Sequence, residues 1–293
     1  EVSMLQLHGI LPALVTPYGE DEALDVATLR TLVRHLLPDV DGFLVNGTTA
    51  DFPLLTHAER QEAIAAVAAL VGGQKPVLAG TGAVATREVI TLTREAREAG
   101  ADAALIIAPY YLRPSPAGLE RHFATIAAAM PDFPILLYNF PQLVGQPIPP
   151  DMVARLAAIP NIIGMKDTSG DLTYMLEVLE RVPSTFQVLV GRGTVFLPAM
   201  AVGAVGGILA CANLIPAQWQ KVYRAIRAGD WETARAGQFR AQRVSRIVGS
   251  GGSLAVRAGL KMRGIPVGPP RRPLALEGAV READLAVLSE ALG

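Results

Sequence analysis

Residues 135–167 read ILLYNFPQLVGQPIPPDMVARLAAIPNIIGMKD, and two short apolar runs, Ile135–Asn139 and Ile162–Asp167, bracket a segment of helix-forming composition over Asp151–Ala158. A run of five or six apolar residues is strand length. Without polar alternation it reads as a strand buried on both faces, as in parallel sheets covered by helices. The stretch is therefore a βαβ unit, and each strand closes on polar residues: Tyr138-Asn139 in one, Lys166-Asp167 in the other.

The same alternation extends to both ends of the chain. Further strands are predicted at Gly9–Thr16, Gly42–Val45, Pro76–Gly80, Ala103–Ile107, Phe186–Val190 and Gly206–Ala210. Helical patterns fall at Val26–Leu37, His57–Val71, Ala85–Ala99, Pro116–Met130, Leu172–Val182, Val195–Val202 and Pro216–Ala228. Thr56-His57-Ala58-Glu59 has the form of a capping box, and Gly72-Gly73 and Gly100 stop two helices. Eight βα units with no linker between them predict an α/β fold, a closed (β/α)8 TIM barrel over residues 1–230. Residues 231–293 read as a helical extension packed outside it.

Composition agrees with that reading. The chain is 51% hydrophobic but only 5% aromatic, so its core is built from aliphatic side chains. The net charge of −1 and the lack of a long basic run exclude a surface made for nucleic acid or anionic membranes, leaving a small molecule as the partner. The one cysteine, Cys211, allows no internal disulfide, which fits a reducing cytoplasm, and reads as a small buried hydrophobe. Glu1-Val2-Ser3 does not read as a secretion signal. The uncharged run Thr194–Gln218 is long enough to imitate a membrane span but is broken by Pro198, Gly203, Gly206, Gly207 and Pro216. No glycine-rich nucleotide loop follows a strand. His8, His35, His57 and His122 lack metal-ligand spacing, so no metal site is expected, and Trp219 and Trp231 read as packing at helix surfaces.

Barrel enzymes carry their chemistry at the C-terminal ends of the strands. The polar residues there are Thr16, Asn46-Gly47-Thr48-Thr49, Thr81, Tyr110-Tyr111, Tyr138-Asn139 and Lys166-Asp167-Thr168. Of the four lysines, Lys75, Lys166, Lys221 and Lys261, only Lys166 ends a buried strand. Desolvation favours the neutral amine, and a neutral amine attacks ketones, which is Schiff-base chemistry. The competing reading is an ion pair with Asp167 or Asp51. Imine chemistry also needs a proton shuttle, and Tyr138 is placed to act as one, with Thr49 holding its proton and Thr48 meeting a carboxylate.

Taken jointly and in order, Gly47-Thr48-Thr49, Ala79-Gly80-Thr81-Gly82, Pro109-Tyr110-Tyr111, Leu137-Tyr138-Asn139-Phe140-Pro141, Asn161–Asp167 and Gly206-Gly207-Ile208 resemble the dihydrodipicolinate synthase and N-acetylneuraminate lyase superfamily of pyruvate-dependent class I aldolases. The resemblance implies an imine on Lys166, proton transfer by Tyr138, and a relay through Thr49 and a tyrosine from a neighbouring subunit, here Tyr111, with the adjacent Tyr110 as the alternative, since neighbours on an extended segment point opposite ways. It further implies that Thr48 and the Ile208 backbone hold the pyruvyl group, with Gly47, Thr168 and Gly191 as further substrate-binding candidates. No cofactor beyond the covalent imine is implied, and the assembly implied is a homotetramer, a dimer of dimers.

Within the superfamily, Asp51–Thr56 and Gly203–Gly207 look most like 4-hydroxy-2-oxoglutarate aldolases, which points to cleavage of a 4-hydroxy-2-oxo acid into pyruvate and an aldehyde. Three rivals stand beside this: a 2-keto-3-deoxy sugar acid aldolase or dehydratase, a 4-hydroxy-tetrahydrodipicolinate (dihydrodipicolinate) synthase, and a non-catalytic keto-acid sensor. Leu143 stands where dihydrodipicolinate synthases usually carry an arginine for the second substrate's carboxylate, and leucine cannot make that contact. Ala50-Asp51 replaces the usual Gly-Glu. Gly191-Arg192-Gly193-Thr194 lacks the acidic residues that N-acetylneuraminate lyases use there. Arg192 either binds a distal carboxylate or turns to solvent or a loop carboxylate.

Overall fold

The computed structural model describes residues 5–292, so the reading of Glu1-Val2-Ser3 lies outside the described residues. Eight parallel strands follow in chain order: β1 (Gly9–Pro12), β2 (Phe43–Val45), β3 (Val77–Gly80), β4 (Ala103–Ile107), β5 (Ile135–Asn139), β6 (Ile162–Asp167), β7 (Gln187–Val190) and β8 (Gly206–Leu209). Each pairs with its successor from β2 to β8, and β1 returns to pair with β8. On its other side the Ala13–Leu44 bridge and a 2.9 Å bond from Leu14 N to Leu44 O bring β1 against β2 and close the barrel. Every strand residue is buried, as uninterrupted apolar runs require.

Helices α1 (Val26–Leu36), α2 (His57–Val71), α3 (Thr86–Glu98), α4 (Pro116–Ala129), α5 (Pro141–Val144), α6 (Pro150–Leu156), α7 (Leu172–Arg181), α8 (Phe196–Ala201) and α9 (Pro216–Arg227) lie between or after the strands. The capping box at Thr56 is present: its hydroxyl accepts from Glu59 N and its own N–H donates to the Glu59 carboxylate, a device that stabilises by about 1 kcal/mol. The first strand is shorter than predicted. Beyond Ala13 the chain has run past the end of β8, and Thr16 Oγ1 instead donates to Ala50 O at 2.9 Å. The single turn α5 lies in a segment that carries no helical pattern in the sequence. Trp219, read as a helix-surface residue, is fully buried, packing edge-on against Phe196 at 5.4 Å between ring centres, whereas Trp231 is half exposed.

The C-terminal extension comprises α10 (Trp231–Met262) and α11 (Glu282–Leu292), joined by an irregular segment in which Pro266, Pro269, Pro270 and Pro273 prevent a continuous helix. α10 packs on α8 and α9 and also on the turns that follow β2, β7 and β8. It bends at Gly252, whose φ of 55° and ψ of −138° favour glycine.

The irregular segment is fastened to α2 by Arg271, whose guanidinium pairs with the Glu59 carboxylate and donates to Leu54 O. The hydrogen bond from Arg271 holds Glu59 down to a pKa of about 2. A carboxyl whose pKa is lowered by folding stabilises fully above its unfolded value and loses that contribution as pH falls towards the folded one. Arg271→Ala is therefore expected to cost about 2 kcal/mol at neutral pH. In urea unfolding the gap from wild type should shrink as pH falls from about 4.5 towards 2; a gap independent of pH over that range contradicts the assignment.

Candidate active site

Register creates the centre of the site. In the β5–β6 ladder Tyr138 lies directly beside Lys166, both at the C-terminal end of the barrel and both nearly inaccessible, at 3% and 4% exposure. The Lys166 amine nitrogen is 4.2 Å from the centre of the Tyr138 ring. Asp167, next along the strand, points away and accepts from Asn139 Nδ2 and Ser169 Oγ, each at 2.7 Å. Asp51 accepts from Ser253 Oγ at 2.7 Å and faces the Arg257 guanidinium at 3.7 Å. Burial raises the pKa of both carboxyls, opposed in each case by these donors. Among the described residues Lys166 has no carboxylate partner, so the ion-pair reading of this lysine fails.

A cavity of 460 Å³ opens over this pair. Thr48, Thr49, Thr168, Gly191, Arg192 and Ile208 all line it, together with Lys166 and Tyr138. Gly47 stands just behind, at the start of the 3-10 turn Thr48–Ala50, where its carbonyl accepts from Ala50 N at 3.0 Å. Tyr111 is not on the wall of its own chain's cavity: its side chain is 93% exposed and its backbone φ is +70°. Its neighbour Tyr110 is partly buried, edge-on to Phe52 at 5.8 Å. Thr81 spends its hydroxyl on Thr93 of α3, 2.9 Å away.

The phenol of Tyr138 lies 3.4 Å from Thr48 Oγ1 and 3.5 Å from Thr168 Oγ1. The phenol contact expected of Thr49 is thus made by Thr48. Successive residues in a 3-10 turn project about a third of a turn apart, so only one of the adjacent hydroxyls can face the phenol. Arg192 donates from Nε to Thr168 O at 2.8 Å and lines the cavity, with no carboxylate partner among the described residues.

Gly191 leaves the space in which the lysine moves. A Cβ there would overlap Thr168 Oγ1 and come within 3.0 Å of Lys166 Cε. Gly191→Ala is expected to slow adduct formation at Lys166 by more than about tenfold, because packed interiors do not absorb an added methyl group without shifts. Time-resolved mass spectrometry of the lysine peptide checks this; wild-type kinetics in the variant would contradict it.

The far wall was not foreseen. Ser245, Arg246, Ser250, Gly252 and Ser253 of α10 line the cavity opposite the strands. A signal existed: Gly249-Ser250-Gly251-Gly252-Ser253 interrupts an otherwise helical pattern, and a glycine cluster inside a helix marks a bend or a close approach. Cys211 also borders the cavity, buried, its thiol pushed up to about 11 by burial. Among the described residues no cluster of His, Cys, Asp and Glu is arranged to hold a metal ion, and no helix is long and apolar enough to cross a membrane. The uncharged run Thr194–Gln218 is divided among a turn, α8, β8 and the start of α9.

The Dihydrodipicolinate synthetase family matches residues 6–289. The chain is 39% identical to a 4-hydroxy-tetrahydrodipicolinate synthase of Methanoculleus marisnigri, over 91% of this chain and 93% of that one. It is also 39% identical to one from Moorella thermoacetica, over 95% of each. Among solved structures it is similar to a dihydrodipicolinate synthase of Bacillus anthracis, with a TM-score of 0.92 and 34% identity over 99% of this chain and 98% of that one. A prophage protein of the same family from E. coli K12, solved in complex with pyruvate, superposes with a TM-score of 0.91 at 29% identity over 98% of each chain. Fold, strand-end residues and relatives agree that the chain belongs to the dihydrodipicolinate synthetase family, pyruvate-dependent class I lyases that work through a Schiff base between pyruvate and a lysine and need no external cofactor.

Proposed function

We propose that Lys166 forms the imine with pyruvate and that the resulting enamine is joined to an aldehyde bearing its own carboxylate. The observation that carries this reading is the direct pairing of Tyr138 with Lys166 inside one cavity. The lysine nitrogen adds to the pyruvate ketone, the carbinolamine loses water, and a C3 proton leaves to give the enamine. Enamine C3 then bonds to the aldehyde carbon, and the aldehyde oxygen takes a proton. Tyr138 is the group that moves these protons, with Thr48 as the hydroxyl next to it and Thr168 beside. Thr49, Gly47 and the Ile208 backbone would then meet the pyruvyl carboxylate.

The name shared by the relatives favours 4-hydroxy-tetrahydrodipicolinate synthesis. That product has two carboxylates, one of them from pyruvate, so the aldehyde brings the other; adding back the one water lost when the ketone condenses with the amino group and subtracting pyruvate leaves aspartate 4-semialdehyde, whose amino group displaces Lys166 from the imine carbon as the ring closes. A second reading, cleavage of 4-hydroxy-2-oxoglutarate to pyruvate and glyoxylate, is favoured by Leu143, a half-exposed apolar residue on the cavity wall. Product analysis after incubation with pyruvate and aspartate 4-semialdehyde, and separately with 4-hydroxy-2-oxoglutarate, decides between them by kcat/KM. Higher turnover of the oxoglutarate compound would overturn the first reading.

The same reading sends Tyr111 into the cavity of a neighbouring copy, in a homotetramer built as a dimer of dimers. Its full exposure and positive φ support this, since non-glycine backbone in that region costs energy that a packing partner offsets. Mixing Lys166→Ala and Tyr111→Phe subunits tests it: activity above the sum of the two parents requires a shared site. A lone buried cysteine suits work in a reducing cytoplasm, which fractionation of the source cells would check.

A further inference from the structure

We propose that Arg246 of α10 is the specificity-determining residue that recognises the distal carboxylate of the substrate, replacing from the opposite wall the cation missing at Leu143. This rests on the imine reading above and names the group that reads the second half of the substrate.

Charge balance in the cavity is the first support. Its charged lining residues are Lys166, Arg192 and Arg246, with no aspartate or glutamate among them. Lys166 is consumed by the imine, and in the reading above the pyruvyl carboxylate meets Thr49, Gly47 and the Ile208 backbone. Two guanidinium groups are then left for a further anion, more than a neutral aldehyde would need. The second support is availability. Arg192 is committed through Nε to Thr168 O and offers only its terminal nitrogens. Arg246 has no side-chain hydrogen bond or ion pair among the described residues. Arg246 is exposed and borders the cavity, and an unpaired guanidinium at the rim of a cavity that an anion must enter can receive a carboxylate in bidentate fashion.

Position is the third. Arg246 stands on α10 ahead of the bend at Gly252 and lines the same cavity as Lys166, so a substrate held on the lysine shares that cavity with the guanidinium. Leu143 borders the same cavity from the β5 side. The cavity is thus apolar at Leu143 and carries its cation on α10.

Trapping on Lys166 tests this without knowledge of the aldehyde. The probes are 2-oxoglutarate and 2-oxopentanoate, equal in carbon number and differing in the distal carboxylate. Each ketone accepts the lysine nitrogen, loses water, and is fixed when borohydride delivers hydride to the C=N bond. The wild type is expected to half-saturate with 2-oxoglutarate at a concentration at least about tenfold below that for 2-oxopentanoate. In Arg246→Gln that preference should fall about tenfold, while Arg246→Lys retains part of it through charge alone. A wild type without the preference, or an Arg246→Gln preference equal to wild type, overturns the proposal. A preference lost only in Arg192→Gln does so too. Failure of pyruvate itself to be trapped on wild-type Lys166 instead removes the imine reading beneath it, so the two failures are told apart.

Discussion

Lys166→Ala is expected to lose turnover by roughly 10⁴–10⁶-fold while remaining folded. The amine can form a covalent bond to the ketone and, as the iminium, act as the electron sink, and among the described residues no second lysine borders the site. The stem is buried but its nitrogen has no ion-pair partner among the described residues, so truncation strands no described carboxylate. Thermal unfolding should therefore show a modest change, about what a lost aliphatic stem costs, up to roughly 2 kcal/mol. Residual activity within tenfold of wild type would mean that the bond to carbon is made elsewhere. The same variant distinguishes the keto-acid sensor: binding through ordinary contacts would survive the loss of the amine.

Tyr138→Phe is the second large effect. The ring stays, with its place in the barrel and its contact to the lysine nitrogen, and only the hydroxyl is removed. The bonds lost are long, 3.4 and 3.5 Å, so the stability change should be under about 1 kcal/mol. Proton transfer loses its carrier, and kcat is expected to fall by about 10²–10⁴ with KM for pyruvate changed far less. Steady-state kinetics with pyruvate as the varied substrate reads this split. A rise in KM with kcat intact would assign Tyr138 to binding instead.

Much of this site is visible in the chain because it depends on short-range patterning. Strand and helix alternate with clear periods, and Lys166 is conspicuous as the one lysine that ends a buried run. Tyr138 follows from the same rule, since both residues close strands separated by a single helical segment. What escaped depends on contacts between distant parts of the chain. Adjacent threonines carry no local mark of which hydroxyl meets the phenol; the 3-10 turn set by Gly47 decides it. Nor does any helical pattern say where its face will lie. The serines and Arg246 on α10 read as solvated positions until the bend at Gly252 and the packing of the helix on the turns after β2, β7 and β8 bring them to the mouth. Trp219 was misread for a related reason: Phe196, which buries one of its edges, comes from the neighbouring α8. The relatives' names likewise favour a synthase over the cleavage reading that Leu143 invited, since one missing arginine says nothing of a cation supplied from another element.

The most direct measurement is borohydride reduction of the wild-type protein in the presence of pyruvate, followed by peptide mass spectrometry. One reduced pyruvyl group per chain is expected, on the peptide containing Lys166, and none when pyruvate is omitted. No adduct, or an adduct confined to Lys75, Lys221 or Lys261, would contradict it.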